Sequence, residues 1–162
     1  MRPYLIVVVN RALARFFTLK EVDFPESASG PRITPLTELE NPELQDSQEV
    51  FSDSKTGRGA APQGGGVHGY DDKRDHHLDE FRRRFAVKVL ERIAKAAKDE
   101  HASTLVLAAS ERMRRFLYPE MDALAQKGYR IHKVSKNIIH FSPEEIREYL
   151  AASGTIPARV HG

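Results

Sequence analysis

The stretch Tyr4-Leu-Ile-Val-Val-Val9 is a continuous apolar run in which four of the six residues are β-branched. A run without polar alternation predicts a strand that is buried on both faces and central in its sheet. The stretch Thr104-Leu-Val-Leu-Ala-Ala109 has the same character in the second half of the chain. We therefore predict a sheet built around these two runs, in which Val7 and Leu107 are inaccessible to solvent.

Three further strands are predicted from shorter patterns. Aromatic and β-branched residues favour a strand over residues 15–20, which a short turn joins to the first strand as a hairpin. An extended pattern predicts a strand over residues 32–40, and another is predicted over residues 129–134, directly after Gly128. The apolar residues available for burial in the third strand are Ile33, Leu36 and Leu39.

Residues 71–100 carry the strongest helical pattern. Apolar residues recur there every three or four positions and form one broad face: Phe81, Phe85, Ala86, Val89, Leu90, Ile93, Ala94 and Ala97. The opposite side carries four cations within about a quarter-turn, and we call Arg84, Lys88, Arg92 and Lys95 the basic stripe. Arg82 falls at an apolar helical angle, and we expect its stem to snorkel past the edge of the core.

Two shorter helical regions are predicted nearer the carboxyl end. Ser110 is placed to cap a helix over residues 111–117, and Pro119 is expected to separate it from a second helix over residues 120–126. Ser142-Pro143-Glu144-Glu145 combines an N-cap serine, a first-turn proline and a glutamate three residues after the cap. This last motif predicts a helix that runs to about residue 152.

Strands that cluster early and then alternate with helices predict a single α/β domain over residues 1–152, with a mixed β-sheet flanked by helices. Residues 153–162 are predicted to be a flexible C-terminal tail. Residues 41–70 show no sustained apolar period, and Ser52 to Gly69 holds six of the ten glycines. Such a stretch has high chain entropy and little to bury, so it predicts a mobile Gly-rich loop.

Composition excludes several classes of protein. There is no cysteine, so disulfide frameworks, thiol nucleophiles and iron–sulfur clusters are excluded. The 162 residues carry a net charge of +2, and no apolar run is long enough to cross a membrane, so we expect a cytoplasmic protein without a membrane partner. Residues 73–162 hold 18 Lys and Arg against 12 Asp and Glu, so the basic character belongs to the second half.

A series of short motifs in order along the chain resembles the bacterial host-attachment protein family, whose members are named as required for attachment to host cells. The resemblance spans about residues 5–150. It is carried by Ala12-Leu-Ala-Arg15-Phe16-Phe17, Leu39-Glu-Asn41-Pro42-Glu43, Asp53-Ser-Lys-Thr-Gly57-Arg58, a helix with Phe81, Phe85 and Ala86, Thr104-Leu-Val-Leu-Ala-Ala-Ser110, and Leu117-Tyr118-Pro119.

That family in turn resembles the middle domain of archaeo-eukaryotic peptide-chain release factors, in which a Gly-rich loop precedes a long basic helix and a buried strand. In those factors the loop tip holds Gly-Gly-Gln, which reaches the peptidyl-tRNA ester on the ribosome. Here the loop reads Gln63-Gly64-Gly65-Gly66-Val67, with valine where the glutamine would follow. The resemblance therefore implies a release-factor-like fold in a protein that is not a complete release factor, and it favours a non-enzymatic role.

The resulting prediction is a non-enzymatic cytoplasmic binding protein of the host-attachment type, whose partner is structured RNA or the ribosome, as the release-factor resemblance implies. Its cations would contact phosphates, and its glycines would permit close approach of the backbone. The candidate binding residues are Arg58, Gln63, Gly64, Gly65, Gly66, His68, Lys73, Arg74, Arg84, Lys88, Arg92 and Lys95. No catalytic residue, metal or cofactor is predicted.

Two alternatives remain open at the level of sequence. One is a protein–protein interaction module or homodimer, which predicts no salt-dependent affinity for RNA. The other is an esterase-type hydrolase in which Gln63 or His68 orients water at an ester. The acidic and histidine residues of 71–80 could hold a metal, but acidic residues complement the positive end of a helix dipole, so a solvated helix start is the preferred interpretation.

Overall fold

The computed structural model describes residues 2–21, 31–43 and 68–158, with the backbone alone for residues 68–76. Five strands form one mixed sheet in the order β3-β2-β1-β4-β5. The elements are β1 (Tyr4–Val9), β2 (Leu13–Lys20), β3 (Arg32–Glu40), α1 (His68–Asp99), β4 (Thr104–Ala109), α2 (Glu111–Gln126), β5 (Arg130–Val134) and α3 (Pro143–Ala152). The predicted α/β class with a mixed sheet is confirmed.

The two apolar runs lie side by side at the centre of the sheet. β1 pairs with β4 in parallel and with β2 in antiparallel orientation, while β4 pairs in parallel with β5. Val7 is 1% exposed and Leu107 is fully buried, as predicted. The hairpin turn between β1 and β2 is fixed by Asn10, whose Oδ1 accepts hydrogen bonds from the backbone N–H groups of Ala12 and Leu13 at 2.9 and 2.8 Å.

Each face of the sheet has its own core, because side chains alternate across a strand. On one face Leu5 and Val7 pack in a cluster with buried residues of α1 and α2, among them Val89 and Leu117. On the other face the cluster contains Ile6 and Val8 of β1 together with Ile146 and Leu150 of α3. A strand with helices on both sides has no solvated face, which explains why β1 and β4 carry no polar alternation.

Several element boundaries differ from prediction. β2 begins at Leu13 and α1 begins at His68, so residues 68–70 lie in a helix and not in a loop. α2 is one helix that contains Pro119. Its buried face runs through the proline, and we attribute the continuity to this packing, which offsets a cost of about 3 kcal/mol for a proline in a helix. The buried residues of that face are Met113, Leu117, Met121 and Leu124.

Individual side chains also depart from prediction. Ala94 and Leu36 are exposed. Ser110 occupies the N-cap position of α2, but its side chain makes no capping hydrogen bond. Ile156 is 4% exposed and packs in the α3 core, and its N–H donates to the Leu150 carbonyl at 3.3 Å, so the predicted tail is ordered at least through that residue.

The capping box of α3 is confirmed in both directions. The Glu145 N–H donates to Ser142 Oγ at 3.1 Å, and the Ser142 N–H donates to Glu145 Oε1 at 2.7 Å. We expect Ser142→Ala to lower the free energy of unfolding by about 1 kcal/mol, because the first-turn N–H loses its acceptor. Urea denaturation measures this loss. Ser135→Ala, at an exposed loop residue, serves as the control, and an equal loss in both variants would contradict the prediction.

Candidate functional site

The basic stripe lies on the side of α1 that faces away from the core. Arg84, Lys88 and Lys95 are exposed, and Arg92 is half-buried. Over the 11 residues from Arg84 to Lys95 a helix rises about 16 Å. The helical periodicity therefore predicted correctly that these four side chains lie along one side of α1.

Two members of the basic stripe already have carboxylate partners. Arg84 donates to both oxygens of Glu43, with Nε–Oε1 at 2.9 Å and Nη2–Oε2 at 2.6 Å. Lys95 Nζ lies 2.7 Å from Asp99 Oδ2, one turn along the helix. The hydrogen bond from Arg84 holds the pKa of the Glu43 carboxyl below its usual range, with the charge of Lys88 as a smaller contributor. The field of the stripe is therefore partly offset at Arg84 and Lys95, while Lys88 projects into solvent.

Glu43 is held beside α1 by an asparagine that was predicted to open the loop. Asn41 is 3% exposed; its Nδ2 donates to the Arg11 carbonyl at 3.1 Å, and its Oδ1 accepts from the Glu43 N–H at 3.2 Å. Its own N–H donates to the Ala12 carbonyl at 2.9 Å. Residues 41–43 are thus fixed to the β1–β2 turn, and the predicted mobile loop does not begin at Asn41.

The other candidate residues fall into two groups. Arg58, Gln63, Gly64, Gly65 and Gly66 lie outside the described residues. His68, Lys73 and Arg74 belong to the first turns of α1, which correct the prediction that His68 ends a loop. The described backbone therefore places these three residues on the same helix as the basic stripe.

A cluster of arginines that sequence reasoning missed lies where α1 meets α2. Arg82 is 5% exposed, so the expected snorkelling is wrong. Its Nη1 donates to Asp79 Oδ1 at 2.6 Å, and Asp79 also accepts a hydrogen bond from Arg115 of α2. The i,i+3 spacing of Asp79 and Arg82 is visible in the sequence. The bond from Arg115 is not, because it depends on how the two helices pack.

A shallow groove of about 700 Å³ runs between α1 and α2. Its lining includes Val87, which is 51% exposed, and the ring of Phe116. The guanidinium groups of Arg83 and Arg115 lie 5.4 and 4.7 Å from the centre of that ring, within cation–π range. The lining also includes Glu91 and Glu120, so the groove combines apolar surface with charges of both signs.

Tyr118 of α2 bonds to the backbone at the carboxyl ends of β4 and β5. Its hydroxyl donates to the Val134 carbonyl at the end of β5 and accepts from the Ala109 N–H at 3.1 Å, at the end of β4. Burial raises the pKa of the Tyr118 hydroxyl, although its bond with Ala109 acts in the opposite direction.

We expect Tyr118→Phe to lower the free energy of unfolding by about 2 kcal/mol, because the buried Ala109 N–H loses its acceptor. A raised pKa means that ionisation is disfavoured in the folded state. The contribution of the Tyr118 hydroxyl to the free energy of unfolding is therefore present below a pH of about 10, and it is lost as the pH rises through the folded-state pKa. Urea denaturation between pH 7 and 11 should show a smaller alkaline loss in Tyr118→Phe than in the wild type. Equal losses would contradict this assignment.

Within the described residues, no group of three or more His, Cys, Asp or Glu side chains is arranged to hold a metal ion. Of the predicted acidic start of α1, Asp79 and Glu80 are described, and each is paired with an arginine. Likewise, none of the helices in the described ranges is long and apolar enough to span a membrane.

Comparison with known proteins identifies a family and similar solved structures. The model of a family described as "Protein required for attachment to host cells" matches residues 5–150. No curated protein matches. The crystal structure of an archaeal translation termination factor is similar with a TM-score of 0.40 and 13% identity, over 96% of this chain and 35% of that one. The chain thus spans about a third of the length of that factor.

Proposed function

The chain belongs to the family of proteins required for attachment to host cells, and we propose that it acts as a non-enzymatic cytoplasmic binding protein for structured RNA, alone or in the ribosome. The basic stripe supplies the contact surface, and the Gly-rich segment between residues 43 and 68 supplies the second contact. In this proposal the effect on attachment is indirect, through an RNA-dependent process inside the cell.

The observation that carries the proposal is the exposed line of cations on α1. A helix anchored by buried Phe85, Val89 and Ile93 cannot turn its opposite side away from solvent, so Arg84, Lys88 and Lys95 remain presented together. Cations on such a helix release counterions when they contact a nucleic-acid backbone. The helix itself loses little conformational freedom on binding, because its buried face already holds it. Residues 73–162, which include the stripe, hold 18 Lys and Arg against 12 Asp and Glu, so the half of the chain that carries the stripe has a net positive charge.

The proposal is tested by recovering the tagged full-length protein from native lysate, with and without nuclease treatment. We expect RNA to be recovered with the wild type, to disappear after nuclease treatment, and to be reduced for Lys88→Glu. Lys136→Glu, at an exposed residue beyond β5, is the matched control. Recovery of no RNA above the level of an untagged sample would contradict the proposal.

The groove between α1 and α2 favours a second candidate, a protein–protein interaction module. Val87 is one of the large apolar side chains that stay exposed, and it lines this groove beside Phe116. Burial of such surface against a partner would be insensitive to salt, whereas contact with phosphates weakens as salt rises. Salt dependence therefore separates the two functions. The hydrolase alternative stays a prediction, since Gln63 lies outside the described residues.

A further inference from the structure

Arg82 has a donor that the described part of the chain leaves unused. The side chain is 6% exposed, and its Nη1 is bonded to Asp79, yet its Nε has no hydrogen-bond partner there. A buried donor on a charged group without an acceptor costs on the order of 1–3 kcal/mol. Native proteins rarely leave such a donor unmatched unless an ion, a water molecule or a ligand accepts its hydrogen bond.

Two more arginines follow the adjacent parallel strands β1 and β4 at the same edge of the sheet. α2 begins at that edge, and its Arg115 bonds to Asp79, the partner of Arg82. Arg11 is in the β1–β2 turn, and Arg112 is in the first turn of α2. Burial lowers the pKa of Arg11, and the charges of Arg82 and Arg112 lower it further. The potential at this corner is therefore positive, even though Asp79 is shared with Arg82 and Arg115.

The backbone at the same corner is also suited to an anion. β1 and β4 are parallel, so their carboxyl ends meet here, and the Ser110 N–H donates to the Val9 carbonyl at 2.9 Å. The Ser110 side chain makes no capping hydrogen bond, and the Met113 N–H donates to the Ser110 carbonyl at 3.0 Å. The N–H groups of Glu111 and Arg112 precede it in the same first turn. Those groups and the helix dipole attract negative charge, although Glu111 in the same turn offsets part of it.

We propose that Arg11, Arg82, Arg112 and the first turn of α2 form a binding site for a phosphate group, carried by a phosphomonoester or free in solution. Guanidinium groups recognise phosphate through paired N–H donors. A tetrahedral oxyanion offers acceptors in several directions, which suits donors that come from three segments of the chain. The site is independent of the proposed RNA surface, since none of these arginines belongs to the basic stripe.

Inorganic phosphate is the first probe, titrated calorimetrically into the full-length protein at constant ionic strength set with sodium chloride. We expect saturable binding and a rise in Tm that chloride alone does not produce. Arg112→Gln should weaken phosphate binding about tenfold or more, because one charge-assisted hydrogen bond is lost. Arg112 is exposed, so this variant should fold, and melting in chloride checks that it does. Arg130→Gln, at an exposed residue of β5, should bind phosphate like the wild type.

Competition identifies the source of the phosphate. Displacement of phosphate by a 5′-phosphorylated oligouridine, but not by its 5′-hydroxyl counterpart, would assign the site to an RNA end. Displacement by adenosine monophosphate alone would assign it to a small phosphomonoester. Lys88→Glu should leave phosphate affinity unchanged, so failure of the RNA surface and failure of this site are distinguishable. Displacement by neither compound would assign the site to free phosphate. Equal melting shifts in phosphate and chloride, or unchanged affinity in Arg112→Gln, would overturn the proposal.

Discussion

Asp79→Asn is expected to lower the free energy of unfolding by about 3 kcal/mol. Arg82 is buried, and Asp79 is the carboxylate bonded to it at 2.6 Å, so the substitution leaves a guanidinium in the protein interior without a counter-charge. Breaking a buried ion pair from one side typically costs about 3–5 kcal/mol. The lower end applies here because the Asp79 side chain is 25% exposed. Urea denaturation at neutral pH measures the effect.

A matched control is available one heptad further along α2 from Arg115. Asp122 lies 3.0 Å from Lys133, but its side chain is 72% exposed, so Asp122→Asn should cost about 0–1 kcal/mol. Equal losses in the two variants would show that the Arg82 pair is no stronger than a surface pair.

The same ion pair predicts a dependence on acid. Burial is the largest single influence on the Asp79 carboxyl and raises its pKa, but hydrogen bonds from Arg115 and Arg82 and their charges together hold the pKa below its usual value. The stabilisation from the Asp79–Arg82 pair is therefore present above a pH of about 3.9, the ordinary pKa of an aspartate, and it is lost as the pH falls through the folded-state pKa. Acid unfolding of Asp79→Asn should lack this component, and an acid profile parallel to that of the wild type would contradict the assignment.

Removal of the carboxylate of Glu43 is expected to strengthen RNA binding, in contrast to substitutions of the stripe itself. Glu43→Gln deletes the negative charge that Arg84 contacts through two nitrogens, so the guanidinium becomes available to a phosphate. We expect a severalfold rise in affinity at low salt, since one more cation can displace a counterion. A gain of binding is informative because general damage to the fold would produce a loss.

The charge reversal of Arg84 and Lys88 should act in the opposite direction and with a larger effect. Both side chains are exposed and lie opposite the apolar face of α1, so the double variant should fold normally. Lys127→Glu with Lys136→Glu changes the net charge by the same amount at exposed residues outside the stripe. If the control pair weakened RNA binding as much as the stripe pair, net charge rather than the stripe would account for binding.

Periodicity and local motifs were sufficient for most of the fold. The runs that became β1 and β4 show no alternation of apolar and polar residues, with Thr104 at the very start of β4. The capping box joins Ser142 to Glu145, only three residues later. Such signals are local, so the sequence contains them in full. The family resemblance is likewise confirmed over residues 5–150.

What the sequence did not predict depends on packing between distant segments. Pro119 reads as a helix breaker until the buried face on both sides of it is known. Asn41 reads as part of a loop, but its amide bonds to the β1–β2 turn from 30 residues away. Arg82 reads as a snorkelling cation because the bond from Arg115 to Asp79, the partner of Arg82, joins two helices that are distant in the sequence. The pairing of Arg84 with Glu43 depends in turn on Asn41, so this part of the neutralisation of the stripe was equally hidden. The i,i+4 spacing of Lys95 and Asp99, in contrast, is visible in the sequence.

The salt dependence of RNA affinity decides whether the basic stripe contacts phosphates. Binding of a structured RNA is titrated from low to physiological salt for the wild type and for Arg84→Glu with Lys88→Glu. If the stripe contacts phosphates, the logarithm of the association constant should fall linearly with the logarithm of the salt concentration. In the double variant the magnitude of this slope should be smaller by about 0.9 for each lost contact to a duplex, or by about 0.7 for a single strand. Absence of RNA binding at low salt, or an unchanged slope and affinity in the double variant, would contradict this contact.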